Sequence, residues 1–144
     1  MKGFLRFYAW GVEVKLYMSI YAAAAVFFQG ITEVLQGRTA ISVWVLLEML
    51  LVSFAFAAIQ YAVLPAGQWD SPGRLALWAL SANVLYIGGA LVFGWFPGVP
   101  LWGDVLLVAL LECGLGAIWF GEQVACWRDT RALNQSLRRF QQGN

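Results

Sequence analysis

Four stretches of the sequence are apolar over the length that an α-helix needs to cross a lipid bilayer. They cover residues 16–34, 41–64, 75–96 and 103–126. The hydrocarbon core of a bilayer is about 30 Å thick and takes about 20 apolar residues of helix to cross. The connections between the stretches are short, which makes neighbouring helices antiparallel. The sequence therefore predicts an all-α membrane protein, built as an antiparallel four-helix transmembrane bundle.

The composition excludes an ordinary soluble domain. Hydrophobic residues make up 61% of the chain and charged residues 12%, whereas soluble domains carry about 25% charged residues. The four spans and their connections use nearly all of the 144 residues, which predicts a single domain, 1–144. The first span lacks the small-residue cleavage site of a signal peptide, so we expect it to remain in the mature protein.

The basic residues predict how the helices are oriented. If the N terminus is inside, eight of the nine lysines and arginines fall in inner segments, and only Arg38 falls outside. Cytoplasmic connections are enriched in these residues. We therefore expect a multi-pass protein of the bacterial cytoplasmic (inner) membrane with both termini in the cytoplasm. Tryptophans near the predicted interfaces agree: Trp10, Trp69 and Trp127 on the inner side, and Trp44, Trp95 and Trp102 on the outer side.

Two glutamates lie inside predicted spans, where ionisable groups are costly and often functional. Helical rise places Glu48 and Glu112 each about 10 to 12 Å below the outer ends of their spans. Gln29 and Asn83 approach the same depth from the other two helices. These four residues are the predicted intramembrane polar cluster. It could be a proton- or cation-coupled site, or it could hold helices together through hydrogen bonds.

The remaining polar residues predict no catalytic chemistry. Glu33 and Glu122 lie near the interfaces, where we expect them to reach water. The chain has no histidine, and its two cysteines lie 13 residues apart on one predicted helix, too far apart for a disulfide. Nucleophile-elbow, P-loop and dinucleotide-binding motifs are missing from the sequence. We therefore expect no metal site, no cofactor and no enzymatic activity.

Residues 128–142 predict an amphipathic cytoplasmic tail, and residues 4–10 have a similar pattern. In the tail, Leu133, Leu137 and Phe140 recur at helical spacing beside arginines. A basic helix of this kind can rest on anionic lipid headgroups or bind a protein, and both interpretations stay open. Direct nucleic-acid binding is not expected, because no reading motif accompanies the arginines. The predicted partner- or lipid-binding face consists of Arg74, Arg128, Arg131, Asn134, Arg138 and Arg139.

Three short motifs carry a family resemblance. They are Trp69-Asp70-Ser71 before the third span, Gly94-Trp95-Phe96-Pro97 at its end, and Leu133-Asn134 with Leu137, Arg138 and Gln141 in the tail. In these motifs the chain resembles a family of small four-span bacterial membrane proteins known as domain of unknown function number 3021. Members often carry a histidine near the start of the third span, whereas in this chain the comparable position lies near Trp78 and the chain has no histidine.

Many members of that family are encoded beside a DNA-binding regulator of the LytTR type, and some restrain that regulator at the membrane. The resemblance implies a non-enzymatic regulatory membrane protein that sequesters or inhibits a cytoplasmic LytTR-type transcriptional regulator. Two alternatives stay open from the residues themselves. One is a small proton- or cation-coupled transporter or channel subunit, acting as a homodimer through its membrane-embedded glutamates. The other is an accessory subunit of a larger membrane complex.

Overall fold

The chain folds into four long α-helices joined by short connections. The computed structural model describes residues 2–64, 69 and 71–142. The helices are α1 (Lys2–Leu35), α2 (Val43–Val63), α3 (Pro72–Phe93) and α4 (Leu101–Gln142). Each is long and apolar enough to cross a membrane, which confirms the predicted all-α architecture with four candidate spans. Asp70, which belongs to the first of the three motifs named above, lies outside the described residues.

Helices that follow one another along the chain pack side by side. Extended contacts join α1 with α2 and α2 with α3, whereas α3 and α4 contact each other at only a few residues. In the first pair, Tyr21 contacts Gln60 and Gly30 lies beside Ile41, as an antiparallel arrangement requires. We call the end with the connections 36–42 and 94–100 the hairpin end. The opposite end, where α1 begins and α4 finishes, is the terminal end.

Gly94 reverses the chain at the end of α3. It adopts the left-handed conformation, with φ 64°, which residues with a side chain rarely adopt. The backbone N–H of Trp95 then donates to the carbonyl of Ala90 at 3.2 Å. This turn directs the Trp95 side chain back into the bundle.

Aromatic residues dominate the interior. Phe56 is completely buried, and its ring centroid lies 4.7 Å from that of Tyr21 and 6.1 Å from that of Trp78. The larger cluster of buried apolar residues comprises Val14, Tyr21, Phe56, Ala57, Leu64, Trp69, Trp78, Ala82 and Leu115. A smaller cluster nearer the hairpin end comprises Met49, Val52 and Trp95. The core therefore belongs mainly to α1, α2 and α3, and α4 contributes little to it.

Two tryptophans predicted for the interfacial belts lie in the interior instead. Trp69 is 8% exposed and Trp95 is 2% exposed. Trp69 packs edge-on against Trp78, with 5.4 Å between ring centroids, and Trp95 fits beside a glycine on α3. Trp44, Trp102 and Trp127 are exposed. A tryptophan near an interface can face inward or outward, and its position along the chain does not decide between the two.

Helix α4 does not end where its span ends. It runs for 42 residues, which is about 63 Å and twice the roughly 30 Å of a hydrocarbon core. From Glu122 to Gln142 it has no proline or glycine, the residues that most often kink helices. The predicted amphipathic tail is therefore the continuation of α4 and not a separate helix. Residues 4–10 are likewise part of α1, which begins at Lys2.

The close contact of α3 with α2 and Trp95 depends on Gly89. A Cβ atom at Gly89 would lie 3.0 Å from Cη2 of Trp95 and 3.4 Å from a methyl group of Val52, whereas a Cβ atom at Gly88 would have nothing within 4 Å. We expect Gly89→Leu to lower the free energy of unfolding by about 1 to 3 kcal/mol through overpacking.

The matched control is Gly88→Leu, which should change the free energy of unfolding by less than about 0.5 kcal/mol. Unfolding in mixed micelles at rising dodecyl sulfate fractions measures both variants. Equal losses for the two variants would contradict the packing around Gly89.

Candidate functional site

Trp95 is the centre of a hydrogen-bonded group at the hairpin end. Its indole Nε1 donates to Oε2 of Glu48 on α2 at 3.0 Å. Its backbone carbonyl accepts from Nε2 of Gln29 on α1, also at 3.0 Å. Because Gly94 turns the chain at this point and Gly89 leaves room for the ring, Trp95 links α1, α2 and the connection after α3.

Glu33 and Arg38 extend this group toward the membrane surface. Gln29 Nε2 donates to Glu33 Oε1 at 2.8 Å, and Arg38 forms an ion pair with Glu33 through Nε, with Nη2 3.1 Å from Oε1. Glu33 is 8% exposed, so it differs from the expected water-facing carboxylate. The reason is local: the turn after α1 bonds the Arg38 N–H to the Glu33 carbonyl at 2.8 Å. The guanidinium therefore neutralises the buried carboxylate.

Asn83 and Glu112 form a separate pair between α3 and α4. Asn83 Nδ2 donates to Glu112 Oε1 at 2.7 Å and to the backbone carbonyl of Ala79 at 3.0 Å. Glu112 is exposed, whereas Gln29 is buried. The four residues predicted as one cluster are thus joined by hydrogen bonds in two groups, one around Trp95 and one on α3 and α4. Their depths along the helices gave no information about which side of each helix they occupy.

Gln60 holds a third polar contact, which was not predicted from the sequence. Its Oε1 accepts from the Tyr21 hydroxyl and from Trp78 Nε1, the latter at 2.9 Å, and Gln60 is 2% exposed. This contact joins α1, α2 and α3 in the middle of the bundle. The signal in the sequence was a single amide in an otherwise apolar stretch. The prediction of the polar cluster instead relied on the glutamates, because a carboxylate costs more free energy in lipid than an amide. The indole N–H of Trp78 is thus satisfied by Gln60.

Two further hydrogen bonds run between helices. Ser53 and Tyr86 share a hydrogen bond of 3.0 Å between α2 and α3. The Tyr17 hydroxyl donates to Oε1 of Glu122 at 2.7 Å, which joins α1 to α4 in the terminal half. Interhelical hydrogen bonds in membranes are worth about 0.6 kcal/mol on average and up to about 1.7. These contacts can hold the helices in register, which is the structural interpretation of the polar residues.

The side chains that could bind a metal ion are dispersed over the part of the chain that the structure describes. Among the described residues, no group of three or more histidine, cysteine, aspartate or glutamate side chains could hold a metal ion. Cys113 and Cys126 are free and exposed.

Gln29 Oε1 is a buried acceptor that has no partner among the residues described.

The tail of α4 is the second candidate region. Every described side chain from Arg128 to Gln141 is exposed. Leu133, Leu137 and Phe140 are 66%, 58% and 82% exposed and form what we call the apolar stripe. The guanidinium of Arg131 lies 4.0 Å above the Trp127 ring. Beyond the hydrocarbon core, an apolar stripe on a helix marks an interaction surface.

The remaining predicted residues of the cytoplasmic face lie at the same end of the molecule. Arg74 is exposed in the first turn of α3, and Asn134, Arg138 and Arg139 are exposed on the tail. Arg128 forms a loose pair with Asp129, with 3.8 Å between the charged atoms. The structure therefore gathers the predicted basic residues at the terminal end.

No protein-family model, no curated protein and no solved structure matches the chain. The resemblance to the four-span membrane family accordingly stays a prediction. The geometry of the chain itself is what bears on its function.

Proposed function

We propose that the chain is a non-enzymatic regulatory protein of the bacterial inner membrane that holds a cytoplasmic DNA-binding regulator. The observation that carries this proposal is the continuity of α4, which runs unbroken from a candidate span into an exposed tail with an apolar stripe. With both termini in the cytoplasm, as the basic residues favour, the tail projects from the membrane toward soluble partners.

The spacing of the apolar stripe suits a helix that inserts into a groove. Leu133, Leu137 and Phe140 stand at positions i, i+4 and i+7, the anchor spacing of amphipathic helices that bind apolar grooves. Four arginines and one aspartate lie between residues 128 and 142. A partner with an apolar groove and an acidic rim would therefore be complementary, and the opposite charges would speed and orient association.

The LytTR type is the class of regulator that the family resemblance implies. A regulator held on the tail would be kept close to the bilayer and away from the chromosome. The bonds of Tyr17 to Glu122 and of Asn83 to Glu112 would anchor α4, and with it the base of the tail, to the other helices. Sequestration of this kind needs no catalytic residue and no cofactor.

The tail prediction compares two neighbouring positions. We expect Leu137→Asp to reduce recovery of a LytTR-domain protein with the tagged chain at least tenfold. The reason is that a charge on the apolar stripe would be buried in the partner's groove, and about 1.4 kcal/mol is enough for a tenfold change in affinity. The measurement is in-cell crosslinking, capture from native membranes, and quantitative mass spectrometry, with a reporter for the regulator's target promoter beside it.

Ser136→Asp is the matched control, because Ser136 is exposed beside Leu137 but lies off the apolar stripe. It should change recovery by less than twofold, and reporter output should rise with Leu137→Asp alone. If the chain is recovered only with itself, or if the two variants behave alike, the regulatory proposal is wrong.

The transport alternative finds less support in the contacts. Glu48 and Glu112 lie in separate groups, and each accepts from a neutral donor, Trp95 or Asn83. In the same cells, Glu48→Gln and Glu112→Gln should leave capture of the regulator unchanged. Loss of a proton-driven flux in these variants, with capture absent, would favour the transporter. Stoichiometric capture of another membrane protein would favour the accessory subunit.

A further inference from the structure

Helices α1 and α4 have few contacts with each other. They are joined in the terminal half by the bond between Tyr17 and Glu122, but the described residues show no extended contact between the two helices. Beyond this bond, a cavity of about 280 Å³ lies between α1, α3 and α4, and its lining also includes Met49 and Phe56 of α2. Its walls include Ala24 on α1, Leu91 on α3 and Gly114 on α4.

The interior of this cavity is apolar because the polar atoms of its lining are used elsewhere. Tyr21 directs its hydroxyl to Gln60, and Tyr86 shares its hydroxyl with Ser53. The Trp95 indole N–H is bonded to Glu48. The rings of these residues face the cavity, and its remaining lining residues are apolar except for Asp104 at the start of α4. The cavity thus offers an apolar interior with one carboxylate at its outer end.

We propose that this cavity binds one acyl chain of a phospholipid whose headgroup carries an ammonium group, such as phosphatidylethanolamine. The lipid belongs to the leaflet at the hairpin end. The acyl chain lies between α1 and α4, and the ammonium group lies beside Asp104. This inference is independent of the regulatory proposal, which concerns the opposite end of the molecule.

The length of the cavity fits a chain from one leaflet. On α4 the lining extends from Asp104 to Ile118, which is about 21 Å of helical rise, while half of a hydrocarbon core is about 15 Å. The site therefore begins at the interface and reaches slightly beyond the bilayer centre. The cavity is open at its side, where the lining residues Ala24, Leu91 and Gly114 are exposed, so an acyl chain can enter it from the surrounding bilayer.

The charge at the mouth selects the headgroup. Asp104 is exposed and stands in the first turn of α4, which the predicted topology puts at the membrane surface. Opposite charges attract across a partly hydrated interface. The ammonium of phosphatidylethanolamine complements Asp104, whereas phosphatidylglycerol has no cation to place there. We therefore expect Asp104 to cause a preference for phosphatidylethanolamine over phosphatidylglycerol.

Native mass spectrometry of the purified full chain tests the site, with phosphatidylethanolamine or phosphatidylglycerol added to the detergent. We expect one phosphatidylethanolamine per chain, retained at least fivefold more than phosphatidylglycerol. Gly114→Phe should reduce this retention at least tenfold, because a Cβ atom at Gly114 meets nothing within 4 Å and the ring would enter the cavity. Asp104→Asn should remove the preference between the lipids while keeping one chain bound.

Gly121→Phe is the matched control on the same helix. A Cβ atom at Gly121 also meets nothing within 4 Å, and this residue does not line the cavity, so lipid retention should change by less than twofold. If Gly114→Phe fails to fold by circular dichroism, Ala24→Phe on the α1 wall takes its place, with the exposed Ala23→Phe as its control. Absence of a stoichiometric lipid, or equal retention in cavity and control variants, would overturn the proposal. So would a dimer that the cavity variants disrupt.

Discussion

Replacing Trp95 by alanine is expected to lower the free energy of unfolding by about 3 kcal/mol, because large-to-small changes of buried aromatic residues leave cavities. The ring is 2% exposed and stacks on Phe93, with 6.0 Å between ring centroids. Its removal also takes the N–H donor from Glu48, which lies in a span. The Glu48 carboxyl group would then lack a hydrogen-bond donor inside a span, which lowers the free energy of unfolding further.

The control for Trp95→Ala is Trp44→Ala, a change of the same residue type on a side chain that is 74% exposed. It should cost less than about 0.5 kcal/mol. Both are measured by unfolding in mixed micelles, and the double variant Trp95→Ala with Glu48→Gln reports how much of the loss comes from the unpaired carboxylate. Similar losses for Trp44→Ala and Trp95→Ala would place Trp95 at the lipid surface and refute its position in the bundle.

The second large effect is expected at Gln60. Gln60→Ala leaves the Tyr21 hydroxyl and the Trp78 N–H without their acceptor. Two lost interhelical bonds cost about 1 to 3 kcal/mol together at the magnitudes measured in membranes. Because the two donors come from α1 and α3, the loss should also loosen both helices against α2.

Gln135→Ala makes the same substitution on the exposed tail of α4 and should be neutral within about 0.5 kcal/mol. In Gln60→Ala, hydrogen exchange of the α1 and α3 backbone should accelerate near Tyr21 and Trp78, with the tail of α4 unchanged. An unfolding free energy equal to that of Gln135→Ala would mean that Gln60 does not hold this contact.

Hydropathy was sufficient to predict four helices, because crossing lipid imposes both a length and an apolar composition. The starts of α2 at Val43 and of α3 at Pro72 lie within three residues of the predicted spans. The end of α4 was not predicted, because a span ends where polar residues begin, whereas a helix ends only where its backbone bonds stop.

The sides of the helices could not be predicted, because spans that are apolar all round have no visible periodicity. Depth placed Glu48 and Glu112 at one level, but it could not show that Trp95 folds inward between Gln29 and Glu48. The importance of Gln60 was missed for a related reason. An uncharged amide costs less than a carboxylate in lipid, yet its single oxygen can satisfy two buried donors.

The Tyr17–Glu122 bond divides α4 into two arms of similar length. From Glu122 the helix extends 21 residues to Leu101 and 20 residues to Gln142, about 30 Å in each direction. The cavity lies along one arm and the apolar stripe along the other. If α4 tilts as a stiff rod about Glu122, a displacement of the helix beside the cavity moves the apolar stripe by a nearly equal distance in the opposite direction. Binding of a lipid in the leaflet at the hairpin end would then change the position of the tail at the opposite membrane surface.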